Sequence, residues 1–443
     1  MKTKIISTLG PATKTSNIIR SLKKQGVNLV RINTAHGNFE QYEEFIKHAK
    51  KNYLPIILDL KGPDLRVKLD KPLIVKKKEQ VKFYRNKTPC FKYDIINNLK
   101  TKDSVFFDNG LIKSKVKEKT KDYIILEFYE DATILENKGV NIPNKKLKVP
   151  NLSKKDLESI KFGNKHEVEF FALSFVRNKE DIKRLRKKTD ALIISKIENK
   201  EGVKNIDEII KESDAVMIAR GDLAVEVGKE NVPFIQKEII SKCNKAGNPC
   251  IVATQMLESM TTEREPTRAE VSDVANAALD GTDAVMLSGE TAIGKHPVLT
   301  VKEMRQILKE TEKHVKSKNY EEKNDSEQLI SAAAKLIEKT KITKAICLTK
   351  SGYTATMLSR HKINKEIIAI TRTNKTKAYL ELSRGVKPTI LNKTQTQNTT
   401  KTLIELKKQR IINTKDKIII LRNKKQTKSK ITNSLEIYNI KEI

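Results

Sequence analysis

Short apolar runs of strand length recur along the chain, separated by segments whose apolar residues fall at helical spacing. The runs are KIISTLG, NLVRIN, LPIILDLKG, FFALSFV, ALIISKIE, DAVMIARGD, PCIVATQM and DAVMLSG. Several are almost continuously apolar, as parallel strands buried on both faces are. Between them NIIRSLKKQG, FEQYEEFIKHAKK, KEDIKRLRKKT and NIDEIIKES repeat apolar residues on a helical period and end near Gly or Lys. Eight strands alternating with helices predict a (β/α)8 TIM barrel.

The third and fourth runs are separated by a stretch of different character. PLIVKKKEQVKFY, SVFFDNGLIKSKVKEK and DYIILEFYED read as short strands broken by turns, with Asn109-Gly110 as a hairpin signal. They predict a small all-β domain inserted into the barrel. KGVNIPNKKLKVPNLSKKD returns the chain to the barrel, with Ser153 as a helix cap. After the eighth run a helical pattern, HPVLTVKEMRQILKETEKHV, leads to the polar stretch KSKNYEEKNDSEQ, a boundary signal. Beyond it KAICLTKSG, EIIAITR, KPTIL, DKIIILR and LEIYNI alternate with helix-like segments. The expected fold is therefore α/β: a barrel over 1–67 and 149–315, an inserted β-barrel lid over 68–148, and a C-terminal α/β domain over 316–443.

Composition changes this picture in one respect. Lys and Arg number 88 against 55 Asp and Glu, a net charge of +33. Such an excess can mark a nucleic-acid or membrane-surface binder. The basic residues are spread over the whole chain and aromatics are only 5%, so stacking platforms for bases are scarce. Solvated lysine faces on a Lys-, Asn- and Ile-rich chain are the plainer reading. No apolar run approaches the length that spans a bilayer, and the N-terminal IIST reads as a strand rather than a signal. Cys90, Cys243, Cys250 and Cys347 fit neither zinc nor disulfide spacing, which suits buried thiols in a reducing, cytoplasmic setting.

A barrel of this kind carries its site at the C-terminal ends of its strands. There the runs end in Thr8-Leu9-Gly10-Pro11, in Arg31, Asn33 and His36-Gly37, in Asp59, Lys61 and Arg66, and in Ser174 and Arg177. The remaining four end in Lys196 and Glu198, Arg220-Gly221-Asp222, Thr254-Gln255 and Ser288-Gly289-Glu290. Converging cations, carboxylates and glycines suit a phosphorylated anion bound through a divalent metal. Lys196 and Glu198, two apart in a strand, project to one side. They make either a structural ion pair, or a carboxylate on a cation beside a lysine on that cation's anion. Asp222 supplies a second carboxylate, and the small residues around Gly221 let backbone N–H groups approach an anion. His36 as a packing histidine and Thr254 as a backbone-satisfied threonine stand as the structural alternatives. Arg177, Arg268 and Glu290 read as structural ion-pair residues.

Taken together, STLGPAT, RINTAHG, LDLKGPDLR, IISKIENKEGV, MIARGDLAVE, VATQMLESM, EPTRAEVSDVANAALDGTDAVMLSGETAIGK and LTKSG resemble the pyruvate kinase family over nearly the full length, and in family order. That resemblance implies phosphoryl transfer between phosphoenolpyruvate and ADP with Mg2+ or Mn2+. It gives Lys196, Arg31 and Thr254 catalytic roles, Arg31 on the phosphate, Lys196 on the transferring group and Thr254 near the protonated carbon. Gly221, Asp222 and Thr254 would line the carboxylate site, and Glu198 with Asp222 would hold the divalent metal. Asn33, His36, Arg66 and Lys138 would face the nucleotide. Thr349, Lys350, Ser351, Gly352 and Thr354 would be available to an effector phosphate, and relatives imply a homotetramer.

Three departures qualify this. Ala35 stands where the family commonly has a serine that ligates potassium; its methyl cannot coordinate, leaving Asn33, Asp59 and the Leu60 carbonyl, so potassium dependence is open. Asp64 stands where a glutamate is common. The β insertion is compact, and the later effector loop, RNKKQTKSKITNS, has lost the glycines many relatives carry. Two other functions compete: a different metal-dependent barrel enzyme acting on phosphoenolpyruvate or pyruvate, and a basic RNA-associated protein on a barrel scaffold.

Overall fold

The computed structural model describes residues 1–62, 65–108, 110–143, 150–396, 398–423 and 432–442. Eight parallel strands close into a barrel: β1 Lys4–Leu9, β2 Val27–Asn33, β3 Ile56–Asp59, β4 Phe170–Leu173, β5 Leu192–Ile197, β6 Ala215–Ala219, β7 Cys250–Ala253 and β8 Ala284–Leu287. They neighbour one another in chain order, and β8 closes on β1. Between β3 and β4 lies the β insertion. All four cysteines are buried free thiols.

The two-residue period of a strand sorts each side chain into one of two cores. Residues such as Ile5, Val30, Leu58, Phe171, Ile193 and Val252 face out and pack under the helices. Ile6, Leu29, Ile57, Phe170, Ala172, Ile194, Met217, Ile251 and Met286 face in and fill the barrel. Continuing the inward rows by two residues gives Thr8 on β1, Arg31 on β2, Asp59 on β3, Ser174 after β4 and Lys196 on β5. The polar site is thus the top layer of the same stack that forms the apolar interior. Several helices that follow the mouth loops start on a side-chain cap. Asn38, Ser153, Asn178, Asn199 and Thr267 each accept a backbone N–H from the first turn of the helix they precede.

The insertion has its own core around Phe83, Phe91, Phe107 and Phe128. Its main sheet runs, edge to edge, Val140–Asn141, Ser104–Phe107, Ile112–Lys119, Tyr123–Phe128, Gln80–Tyr84, Cys90–Phe91, Val67–Lys68. The two edges meet through an Arg66–Gly139 bridge and the bonds Val67 N–H to Lys138 O (3.1 Å) and Val140 N–H to Leu65 O (2.8 Å). The sheet is therefore nearly closed. Ser104–Phe107 and Ile112–Lys119 pair antiparallel around the expected hairpin, though Asn109 itself lies outside the described residues.

The C-terminal domain has five strands: β9 Lys344–Leu348, β10 Glu366–Thr371, β11 Val386–Ile390, β12 Lys417–Arg422 and β13 Ser434–Asn439, in the order β11-β10-β9-β12-β13. The first four are parallel and β13 is antiparallel to β12. It docks on the end of the barrel opposite the mouth through buried charges. Lys362 Nζ lies 3.2 Å from Asp283 Oδ1, and the Arg384 N–H donates to the same oxygen at 3.2 Å. Lys4 Nζ reaches Val386 O at 2.6 Å and Glu381 at 3.8 Å. Burial pushes the Lys362 ammonium below its usual range, against the pull of Asp283.

Removing one member of a buried pair strands the other. Lys362→Met is expected to destabilise the protein by about 3 kcal/mol or more. The check is the denaturant midpoint of the first unfolding transition; an unchanged midpoint would show that the Arg384 N–H suffices for Asp283.

Candidate functional site

At the mouth two cations and two carboxylates share one buried layer. Arg31 Nε donates to Asp59 Oδ2 at 2.6 Å, and its Nη1 donates to Thr8 Oγ at 3.1 Å. Lys196 Nζ lies 3.2 Å from Asp59 Oδ1, 3.0 Å from Glu198 Oε1 and 2.8 Å from Ser174 Oγ. Asp59 and Glu198 are each only 1% exposed. Strand register brings these groups together: Thr8 is the partner of Arg31, and Asn33 of Asp59.

The electrostatics follow from this packing. Burial alone pushes the Asp59 carboxyl up, but Lys196 and Arg31 outweigh it and hold the group below its usual range. Burial opposes the charge on Lys196, yet Asp59 and Glu198 raise its affinity for the proton. Glu198 is pushed up by burial against the pull of Lys196, and the nearby Asp222 carboxylate adds to the rise. The Phe175 N–H donates to the other Glu198 oxygen at 2.6 Å. Two adjacent carboxylates, one of them desolvated, are a donor set of hard oxygens that fits Mg2+ or Mn2+. Among the described residues no group of three or more His, Cys, Asp and Glu has metal-binding geometry, so the pair would act with water and substrate oxygens.

The far side of the mouth is built by a strained turn. Thr254 and Gln255 follow β7 at φ 70° and 52°, a region that costs a non-glycine residue about 1–3 kcal/mol. Arg220 holds that turn. Its guanidinium donates to Thr254 O at 2.6 Å and Gln255 O at 3.1 Å, and pairs with Asp273 at 2.6 Å. Thr254 Oγ accepts the Gly221 N–H at 3.0 Å and donates to Ala253 O at 2.6 Å. Gly221 N–H is therefore engaged by Thr254 rather than open to a ligand.

The other expected residues are placed as follows. Asn33 Oδ1 accepts the Ala35 N–H at 3.1 Å. His36 is exposed on the rim; partial desolvation first, then Arg31, Lys61, Arg66 and Lys155, lower its pKa. Arg66 bonds Asn137 O where the lid strands meet, and Lys138 pairs with Asp108 at 2.7 Å within the lid. The lid touches the mouth at Gly110, where an added Cβ would stand 3.2 Å from Val225 on the helix Arg220–Val227 that carries Asp222. Leu60 O accepts the Ser174 hydroxyl at 2.7 Å. Asp64 lies outside the described residues.

In the C-terminal domain Gly352, at φ 93°, donates its N–H to Thr349 Oγ at 2.9 Å. Lys350 and Ser351 are exposed, whereas Thr354 is buried and its hydroxyl pairs with Thr432 at 2.8 Å. Residues 424–431 of the later loop lie outside the described residues. Arg177 pairs with Asp181 at 3.2 Å, and Glu290 accepts the Ser288 and Leu257 N–H groups, both structural uses.

Sequence reasoning assigned no role to Arg220, Ser174 or Glu226. The first two stand at strand ends and were visible there; Glu226 carried no signal, because its helix position reads as surface. It is half-buried, and burial pushes its carboxyl up to about 7 against Lys200, with Asp222 adding.

Residues 1–301 match the family described as "Pyruvate kinase, barrel domain", and residues 327–438 match "Pyruvate kinase, alpha/beta domain". A pyruvate kinase of Clostridium perfringens is 39% identical over 416 residues, covering 87% of this chain and 88% of the relative. A Staphylococcus epidermidis pyruvate kinase is 37% identical over 427 residues, covering 88% of this chain and 72% of its own length. One from Sporosarcina psychrophila is 38% identical over 421 residues, with the same coverage.

Because the folded protein keeps a proton on Glu226 more tightly than the unfolded chain, stability falls as pH rises from the ordinary glutamate range through about 7. Glu226→Gln removes that loss. The melting temperature of the variant relative to the wild type should rise between about pH 5 and about pH 8 in metal-free buffer, by calorimetry. A constant difference would mean that Glu226 titrates alike in both states.

Proposed function

The chain belongs to the pyruvate kinase family, and on that premise we propose that it moves the phosphoryl group of phosphoenolpyruvate to ADP, giving pyruvate and ATP, at the polar layer of the barrel mouth. The observation that carries this reading is the desolvated cluster of Arg31, Lys196, Asp59 and Glu198, with Asp222 beside it.

Phosphoryl transfer asks a protein mainly for positioning and charge neutralisation. Arg31 binds the phosphate. With Nε fixed on Asp59 and Nη1 on Thr8, the guanidinium needs little reorganisation when the anion arrives. Lys196 neutralises the transferring group and the developing enolate oxygen; its proton is secured by the carboxylates around it. Gly221, Asp222 and Thr254 line the site of the substrate carboxylate, and the Gly221 N–H exchanges Thr254 Oγ for a substrate oxygen. Thr254 then faces the carbon that is protonated. Glu198 and Asp222 would hold Mg2+ or Mn2+, which supplies charge neutralisation and alignment of the substrate oxygens when bound. Asn33, His36, Arg66 and Lys138 face the nucleotide, the last two from the lid and its root.

Potassium fits less well. Asn33 Oδ1 is engaged by the Ala35 N–H, Leu60 O by Ser174, and both Asp59 oxygens by Arg31 and Lys196. The Ala35 side chain offers no oxygen beside them. No step is assigned to that ion. The Thr349–Gly352 loop, with Lys350 and Ser351 exposed, remains a candidate for an effector phosphate, without Thr354. Among the described residues no helix is long and apolar enough to cross a membrane; we place the enzyme in the cytoplasm as a homotetramer, on the pattern of its family.

The test is pyruvate formation from phosphoenolpyruvate and ADP with Mg2+, with and without K+ at matched ionic strength. Turnover is expected in both, falling at least about 10³-fold in Lys196→Met. A strict K+ requirement would show that Asn33, Asp59 and Leu60 hold the ion without a side-chain hydroxyl at position 35. No pyruvate under either condition would sink the assignment.

A further inference from the structure

We infer that Ser174 is a positioning residue, and that the turn Ser174–Phe175 sets the Lys196 ammonium relative to Glu198. The inference rests on the function proposed above and names one more residue on which that site depends.

Hydrogen-bond direction at Ser174 is fixed by chemistry. Leu60 O can only accept, so the single hydroxyl proton is donated to it, at 2.7 Å. An ammonium can only donate, so the hydroxyl oxygen accepts from Lys196 Nζ, at 2.8 Å. Ser174 is 2% exposed. The three protons of Lys196 thus have three acceptors: Asp59, Glu198 and Ser174. Asp59 is shared with Arg31 at 2.6 Å, and Glu198 is the residue assigned to the divalent cation. Ser174 is the acceptor with no competing charge, so its grip persists whichever way the carboxylates are drawn.

The next residue completes the device. Phe175 N–H donates to Glu198 Oε2 at 2.6 Å, so adjacent residues hold the lysine and the glutamate. Phe175 does this at φ 53°, a conformation that a bulky side chain adopts only under constraint. Gly62 makes room for it. A Cβ there would come within 2.8 Å of Ser174 Cβ and 3.1 Å of the Phe175 ring. Leu60, which takes the hydroxyl proton, is anchored in turn by its N–H to Ala172 O at 2.9 Å.

The experiment compares Ser174→Ala, which removes the acceptor, with Ser174→Cys, which keeps the size but accepts weakly, and Ser174→Thr, which restores an oxygen. Each is read by kcat, by KM for phosphoenolpyruvate, and by calorimetric titration of phosphoenolpyruvate with Mg2+ and no ADP. The Ala and Cys variants should lose about 10- to 100-fold in kcat, with affinity for phosphoenolpyruvate within about twofold, and Thr should recover most of the rate. A structural role alone would not split kcat from binding or follow the oxygen. Wild-type kcat in both Ala and Cys would overturn the inference, as would a loss confined to affinity or equal losses in all three variants. If Ala fails to fold, the Cys–Thr contrast decides alone. Wild-type and Lys196→Met controls separate the two readings. Pyruvate from the wild type and none from Lys196→Met, with Ser174→Ala unimpaired, removes only the role of Ser174; no pyruvate from the wild type removes the proposed function itself.

Discussion

Asp59 carries the negative charge on which the mouth of this barrel is assembled. Its two carboxylate oxygens face two different cations, Arg31 at 2.6 Å and Lys196 at 3.2 Å. Its backbone carbonyl takes the Thr34 N–H and hydroxyl at 3.0 and 2.8 Å, which ties down the loop after β2. Burial pushes this carboxylate towards its neutral form, and the two cations beside it outweigh that and keep it ionised. Each strand end therefore depends on its neighbours. The layer is expensive to assemble and stiff once assembled, which is what a site that works by fixed charge needs.

Around this layer the fold spends backbone strain in two places. Phe175 after β4 and the Thr254–Gln255 pair after β7 sit at positive φ. In both, a buried charge sits against the distorted backbone. Glu198 receives the Phe175 N–H, and Arg220 gathers the Thr254 and Gln255 carbonyls. The strain sets the direction of a few N–H and O–H groups, and the ion pairs keep it from relaxing. The lid meets the same elements, since Gly110 touches the helix that carries Asp222. The lid and the Asp222 carboxylate are thus linked through one short helix.

The net charge of +33 takes little part in this chemistry. The cations that matter are few and held by specific carboxylates, both at the mouth and at the Lys362–Asp283 seam with the C-terminal domain. Most of the other lysines among the described residues are exposed, with small individual effects.

Periodicity alone determined the barrel, the β insertion and the C-terminal sheet. Near-continuous apolar runs buried on both faces read as parallel strands between helices, with their polar ends gathered at one mouth. Hence Arg31, Asp59, Lys196 and Glu198 were legible in the sequence as strand-end polar residues of one mouth. The tertiary structure alone decided how their hydrogen bonds are shared. Ser174 and Arg220 were visible as strand-end polar residues, but nothing local says that one holds the lysine and the other a strained turn. Glu226 was invisible for the same reason, because the burial that shifts its proton is decided by packing rather than by its own helix. A strand's inward face is a property of its own sequence; the partner an inward group finds depends on register and loop paths set by the closed barrel as a whole.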